Sequence, residues 1–418
     1  MIVTTAAPPG VRRLAATLYG YAFLQDLVLL YPVYALLFSD TGLSIGQISS
    51  LFVVWSATSI LLEVPSGAWA DAVSRRLLLC LAPLLAGAGY ALWVLAPSYP
   101  AFALGFVLWG AGGALGSGAL EALVFTELDR LGAAGRYART MGRARTAAVL
   151  GVLASIGLAG PVLAVGGYPA VGAASVLATL LAAAVATRFP EHRPAPAAAF
   201  EPAEEGDDLD WAATLRAGLA EARADPRVRG ALLLVPAVAA VWGALDEYTP
   251  LLARDTGVAE STVPLLLLLV WAGVTVGGLL AAPAERLGTR GYAALLTVAA
   301  VALAAGAGLR HPAGFVLVGV AFCAFQLATV LADARLQARI TGPGRATVTS
   351  VAGMATDLTI IAVYGGYALV AAVGGNRAAF VVAAVPYLLV AVVLLAARDG
   401  GRGGPGREPV AGRSGGPT

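Results

Sequence analysis

Apolar runs of bilayer-crossing length recur along the whole chain. Residues 77–96, 168–187, 263–284 and 378–397 contain no Asp, Glu, Lys or Arg. Roughly 20 apolar residues in helical form cross a hydrocarbon core. Similar runs with one or two charges bring the expected spans to twelve: 14–38, 47–70, 77–96, 101–126, 138–164, 168–187, 230–253, 261–284, 291–309, 312–337, 346–371 and 376–397. In lipid every backbone polar group needs an internal partner, so only helices and closed barrels serve. Runs this long, rich in Leu and Ala, predict helices.

The pattern also repeats at half-chain scale. Leu36, Leu37, Asp40, Thr41 and Gly42 align with Leu251, Leu252, Asp255, Thr256 and Gly257 at a constant offset of 215. Ala70-Asp71 then aligns with Ala284-Glu285, and Glu121-Ala122 with Asp333-Ala334, as the offset drifts to 214 and 212. Two related halves of membrane helices are a common plan of secondary transporters.

Composition agrees. The 418 residues are 59% hydrophobic and 12% charged, against about 25% charged in soluble proteins. All 27 basic side chains are arginine. With the N-terminus placed inside, all but Arg254, Arg310 and Arg377 fall on the inner side. The positive-inside rule then puts both termini and the central connection in the cytoplasm, as expected of a multi-pass protein of the cell membrane. The arginines sit where topology demands them, so nucleic acid is not indicated as a partner. Cys80 and Cys323 lie within spans and match no metal or redox spacing. No cleavable signal is evident before residue 14, so the first span serves as an uncleaved one.

Five segments follow: a cytoplasmic stretch 1–13, an N-terminal six-helix bundle 14–188, a linker 189–229, a C-terminal bundle 230–397 and a tail 398–418. Pro190, Pro194, Pro196 and Pro202 keep the first part of the linker from being helical. Trp211, Leu215, Leu219 and Ala222 recur at helical spacing, which fits either an amphipathic helix on the inner membrane surface or a solvated connector. The tail is rich in Gly, Pro and Arg and reads as disordered.

The connection after the second span reads Gly67-Ala68-Trp69-Ala70-Asp71-Ala72-Val73-Ser74-Arg75-Arg76. A Gly, an Asp four residues on and a basic pair, between helices two and three of twelve, resemble the signature loop of the major facilitator superfamily. Glu63-Val64-Pro65-Ser66 and the stretch from Gly118 to Leu123 add to the likeness, which covers residues 14–397. The second-half copy is degraded, with Ala281 against Gly67, Glu285 against Asp71 and Arg290 alone for the basic pair.

The resemblance implies an all-α integral membrane protein: twelve transmembrane helices in two pseudo-symmetric six-helix bundles about a central cavity, usually monomeric. It implies an inner gate in which Asp71 meets the start of the helix after Arg345, and Arg75, beside Arg76, meets Glu127 or Asp129. A carboxylate favours a helix N-terminus, and Arg offers a carboxylate a two-pronged partner. Gly157 to Pro161 followed by Gly166-Gly167 loosely resembles the antiporter signature of drug exporters, although four residues separate Pro161 from the Gly pair where two are expected.

Ionisable groups deep in a span cost roughly 2.5–3.5 kcal/mol each on insertion scales, so a functional reason is sought first. Asp26, preceded by Gln25 and flanked by Tyr19, Tyr21, Tyr31 and Tyr34, sits near the middle of span 1. Asp246 and Glu247 lie in span 7, its repeat partner; on a helix they point about 100° apart, so one faces the cavity while the other packs. Adjacent acids repel when both are ionised, which suits proton exchange. Glu121 and Asp333 are the repeat-related acids of spans 4 and 10, and Glu121 is within reach of Arg143 or Arg145. Glu63 and Asp357 are further intramembrane acids. Each also has a plainer reading as a buried, hydrogen-bonded or ion-paired structural group.

No Walker loop, catalytic triad, zinc spacing or dinucleotide fingerprint is present, so no enzyme activity or cofactor is expected and the driving force is a gradient. Several acids with no deep Arg point to proton-coupled export of a small, partly apolar, neutral or cationic substrate. A proton-coupled nutrient importer and a transport-inactive membrane sensor are the alternatives.

Overall fold

The computed structural model describes residues 8–192, 226–340 and 345–400, with the side chains of 63–72, 226–227, 345–347 and 397–400 left aside. Its regular elements are all helical among the described residues. In chain order they are α1 Pro9–Gln25, α2 Tyr34–Asp40, α3 Ile45–Ala72, α4 Arg75–Leu95, α5 Tyr99–Arg130 and α6 Tyr137–Ala186. The second half holds α7 Pro226–Asp246, α8 Thr249–Arg254, α9 Val263–Leu279, α10 Ala281–Ala284, α11 Thr289–Gly308, α12 Gly314–Arg339, α13 Arg345–Ala383 and α14 Val385–Gly400.

Nine helices among the described residues are long and apolar enough to cross a membrane. Two of these runs are hairpins. α6 folds back at Gly167 (φ 62°) and α13 at Gly375 (φ 74°). The first span is broken and falls below the length criterion in either piece. Splitting the hairpins and adding the broken span yields the twelve crossings of the sequence pattern.

Spans 1 and 7 depart from expectation. Neither is one continuous helix. α1 stops at Gln25, with Asp26 capping it at φ −98°, ψ 0°, and α2 resumes at Tyr34. α7 stops at Asp246 and α8 resumes at Thr249. Pro32 precedes the restart in one half and Pro250 sits at the second position of α8 in the other. Proline lacks the N–H that a continuing helix would use, which favours a restart over a continuation. Asp26 is therefore a helix-end residue, not a mid-helix one. Both restarts end on the repeated Asp-Thr-Gly, whose glycines take φ 90° (Gly42) and φ 83° (Gly257). That left-handed conformation suits only glycine well, so the repeated motif marks a common helix stop.

Packing obeys the same twofold relation. In the first half α4 packs on α5 and α6, α3 on α5, and α1 on α6. In the second half α11 packs on α12 and α14, α9 on α12, and α7 on α13. The halves meet through α3 on α13, α6 on α9 and α2 on α8.

The apolar core shows where they meet. One cluster joins both halves, and its first-half members (Val28 to Phe38, Ile48 to Phe52, Ala86 to Trp93, Phe102, Phe106, Ile156, Leu163, Val171) lie toward the arginine-poor end. At the arginine-rich end the core divides. One cluster runs from Val11 to Phe189 within the first half, and another from Val228 to Ala352 within the second. Among the described residues the apolar core is continuous across the halves at one end and split at the other.

Candidate functional site

The break in span 7 places two carboxyl groups at the seam. Asp246 is the last residue of α7, and Glu247 follows in the non-helical joint. Both line a cavity of about 420 Å³ between the halves, so the expectation that one packs away is corrected. The helix ends between them, and the 100° rule no longer applies. Asp357 of α13 joins them, and Tyr31 and Trp55 face them from the first half. Trp242, Trp271 and Tyr364 complete an aromatic lining.

Their hydrogen bonding differs. The Tyr31 hydroxyl donates to Asp246 Oδ2 at 2.6 Å, across the seam. Glu247 is only 8% exposed and has no hydrogen-bond or ion-pair partner among the described residues. Trp242 spends its indole N–H on Thr329 Oγ1 at 3.1 Å. Trp271 stands edge-on to Tyr31 with ring centroids 6.3 Å apart.

A second cavity of about 460 Å³ lies inside the first half, between α1, α5 and α6. Gln25, Asp26 and Glu121 line it with Arg145. Glu121 is exposed there and forms no ion pair among the described residues, so the expected link to an arginine of span 5 is not made. Asp333 lines neither cavity. It is exposed, and its neighbour Arg335 lies over the Tyr292 ring at 4.2 Å and donates to Leu287 O at 2.7 Å. Among the described candidate intramembrane acids the structure divides all but Asp333 between two sites; the side chain of Glu63 lies outside the described residues.

At the arginine-poor end a polar cluster ties the halves together. Arg254 donates to Asp40 Oδ1 at 2.7 Å and to Ser39 Oγ at 2.5 Å. The Tyr168 hydroxyl donates to Asp40 Oδ2 at 2.5 Å and lies 3.3 Å from Glu260 Oε2. Deeper in, Ser49 and Tyr248 share a 2.6 Å hydrogen bond. Sequence reading missed this latch. The available signal was arithmetic: Ser39 and Arg254 are 215 residues apart, as are Tyr31 and Asp246. Residues at the repeat offset touch only near the pseudo-twofold axis.

At the arginine-rich end the signature loop is partly visible. Gly67 and Asp71 belong to the end of α3, and their side chains lie outside the described residues, as does the expected amphipathic helix of the linker. The expected pairing of Arg75 with Glu127 or Asp129 belongs to a closed arginine-rich end, and in this conformation Arg75 meets other partners. Arg75 Nη1 reaches Thr126 Oγ1 at 3.0 Å, while its backbone N–H donates to Glu191 Oε1 at 2.7 Å. Glu127, 1% exposed, receives the His192 N–H at 2.8 Å and Arg130 Nε at 3.2 Å. Asp129 is exposed. The first linker residues thus occupy the Glu127 carboxylate and the backbone N–H of Arg75 at the start of α4. Arg76 is exposed at the start of α4.

No curated protein sequence matches the chain. Solved structures do. A bacterial homolog of the human lysosomal transporter Spinster, inward-facing and unoccupied, superposes with a TM-score of 0.67 at 19% identity, over 94% of this chain and 98% of that one. The nucleoside transporter NupG gives 0.71 at 13% identity, over 92% and 98%. A D-xylose-proton symporter gives 0.62 at 17% identity, over 92% and 96%. These likenesses speak for the fold. Two repeat-related bundles, a polar seam cavity and the loop after the second span coincide with a match of residues 18–363 to the family model, and the chain belongs to the Major Facilitator Superfamily.

Proposed function

We propose that this membrane transporter exports a small, partly apolar, neutral or cationic compound in exchange for protons, by alternating access. The observation that carries the reading is the seam cavity, with Asp246, Glu247 and Asp357 gathered opposite Tyr31 and Trp55. Buried carboxylates can trade a proton for a cation, because either one relieves an uncompensated charge in low dielectric. The arginine excess supports a cytoplasmic placement of the split end and of both termini in the cell membrane. The sealed end then faces outward, and the conformation is inward-facing. The chain works as a monomer in this reading.

Asp26, Gln25 and Glu121 form a second protonatable site within the first half, separate from the substrate. Gly67, Asp71, Arg75 and Arg76 gate the arginine-rich end when it closes, and Glu127 and Asp129 stay available to that gate once His192 withdraws. Asp71→Asn is expected to slow turnover with substrate binding unchanged; weakened binding at normal turnover contradicts the gate role.

The test is purified protein in liposomes with a pH-sensitive dye inside and a compound panel outside. Wild type is expected to move protons against a cationic or neutral compound, and Asp246→Asn and Asp26→Asn to fail. Wild-type proton movement by both variants, for every transported compound, refutes the carboxylate assignment. Proton and compound moving in the same direction supports the second reading, a proton-coupled nutrient importer; one of the similar structures is a D-xylose-proton symporter.

A further inference from the structure

We infer that the seam cavity is a cage for a tertiary or quaternary ammonium group, with Glu247 as counter-charge and tryptophan rings as walls. This rests on reading the cavity as the substrate site and narrows the class of substrate.

Charge is the first argument. Asp246, Glu247 and Asp357 line the cavity, and no Arg, Lys or His does. Asp246 already accepts the Tyr31 hydroxyl. Glu247 is 8% exposed, faces the cavity and has no partner among the described residues. A buried, unpartnered carboxylate is costly unless a proton or a cation compensates it. A ligand cation fills the vacancy that the protein's own residues leave.

Ring chemistry is the second. Trp55, Trp242, Trp271, Tyr31 and Tyr364 come from five different spans and both halves to line one space. Trp242 has its N–H turned to Thr329, so what it offers a ligand is ring surface without a donor. Trp55 stacks on Trp109 at 5.1 Å and 21°, which holds its ring in place through one face. A cation within about 6 Å of an aromatic face is attracted by the ring quadrupole, and cages of such rings suit alkylated ammonium groups, whose charge is spread over methyl or methylene surface.

Hydrogen-bonding capacity is the third. The lining contains no Asn, Gln, Arg or His. Its neutral polar groups are the hydroxyls of Ser56, Ser59, Tyr31 and Tyr364, of which Tyr31 is already spent on Asp246, and ionised carboxylates add acceptors but no donors. A primary ammonium would need three acceptors around one nitrogen. A tertiary or quaternary one needs one or none, and its alkyl surface matches the rings. The volume of about 420 Å³ is in the range of small-molecule pockets.

Calorimetric titration of the full-length protein in detergent tests the idea. The probes are benzyltrimethylammonium and a neutral analogue of nearly the same shape, 2,2-dimethyl-3-phenylpropan-1-ol. The expected result is binding of the cation at least tenfold tighter than the alcohol. Glu247→Gln is expected to remove that preference, and Trp271→Leu to weaken the cation at least fivefold; both are compared only as monodisperse, cooperatively melting protein. Equal affinities for the two probes, no binding of either, or an unchanged preference in both variants overturns the assignment. Detergent binding needs no gradient, so it can succeed where proton exchange in liposomes fails. Conversely, proton exchange driven by an uncharged compound, without ammonium binding, removes the cage and leaves the exporter standing.

Discussion

Tyr31 and Asp246 occupy equivalent positions of the two halves, and they touch. One duplicated position has diverged into a donor and an acceptor. In the proposed alternating-access cycle such a pair sits at the pivot of the two bundles, where displacement is least and a hydrogen bond can persist. Hydrogen bonds to charged groups contribute roughly 1.5–3 kcal/mol. Tyr31→Phe keeps the ring that packs on Trp271 and removes the hydroxyl. The expected outcome is a drop in proton-coupled transport of about tenfold, the equivalent of about 1.4 kcal/mol. Stopped-flow proton flux in liposomes reads it, and a change smaller than twofold excludes this hydrogen bond from the cycle. Glu247 differs from its neighbour only in lacking a donor. That difference makes it the residue open to a ligand, whereas Asp246 is held in place.

Helix ends, more than helix middles, arrange this site. The twelve apolar runs were legible because a bilayer imposes a length that few other environments do. The breaks in spans 1 and 7 were not, since apolar residues continue through both and hydropathy is blind to a missing hydrogen bond. Pro32 and Pro250 were the local signs. The rings of the cage were also illegible. Trp55, Trp242 and Trp271 are scattered along the chain, and periodicity identifies a helix face only after the helix's rotation in the bundle is known. Gly166-Gly167 has a structural place as well as a resemblance. It resembles part of an exporter motif and stands at the tight turn between spans 5 and 6, and Gly374-Gly375 makes the same turn in the second half. Gly160, in that same stretch, has a specific task. A Cβ there would collide with the Ser261 carbonyl of the other half. Gly160→Val should therefore destabilise only the conformation sealed at the arginine-poor end. Overpacking of this kind costs about 1–3 kcal/mol. The variant is expected to label several-fold faster at a cysteine placed at Ser49, which is buried in the sealed interface. Unchanged labelling means that the seam opens by a movement that spares this contact.

Seen whole, the molecule is held shut at one end by a single apolar cluster and one polar latch, and neither has a counterpart among the described residues of the other end. The latch is asymmetric for a reason visible in the repeat. Asp40 reaches across to Arg254, whereas its equivalent Asp255 accepts from Asn376 within its own half. Arg254 replaces the serine found at position 39, so only one of the two aspartates has a cation across the seam. This arrangement gives the sealed conformation a removable increment without fixing it. Both side chains of the pair are about a third exposed, and ion pairs of that kind contribute about 1 kcal/mol or less. Arg254→Gln is expected to shift the equilibrium toward opening of the arginine-poor end by up to roughly fivefold. Asp40→Asn should do the same, and the double variant should add little to either, because each removes the same contact. Distance distributions from paired spin labels on α2 and α8 measure the populations. Fully additive shifts in the double variant show that Arg254 and Asp40 act through separate partners, Ser39 and Tyr168. Wild-type populations in all three leave closure to the apolar cluster alone, and the rocking motion would then be driven by what fills the seam cavity.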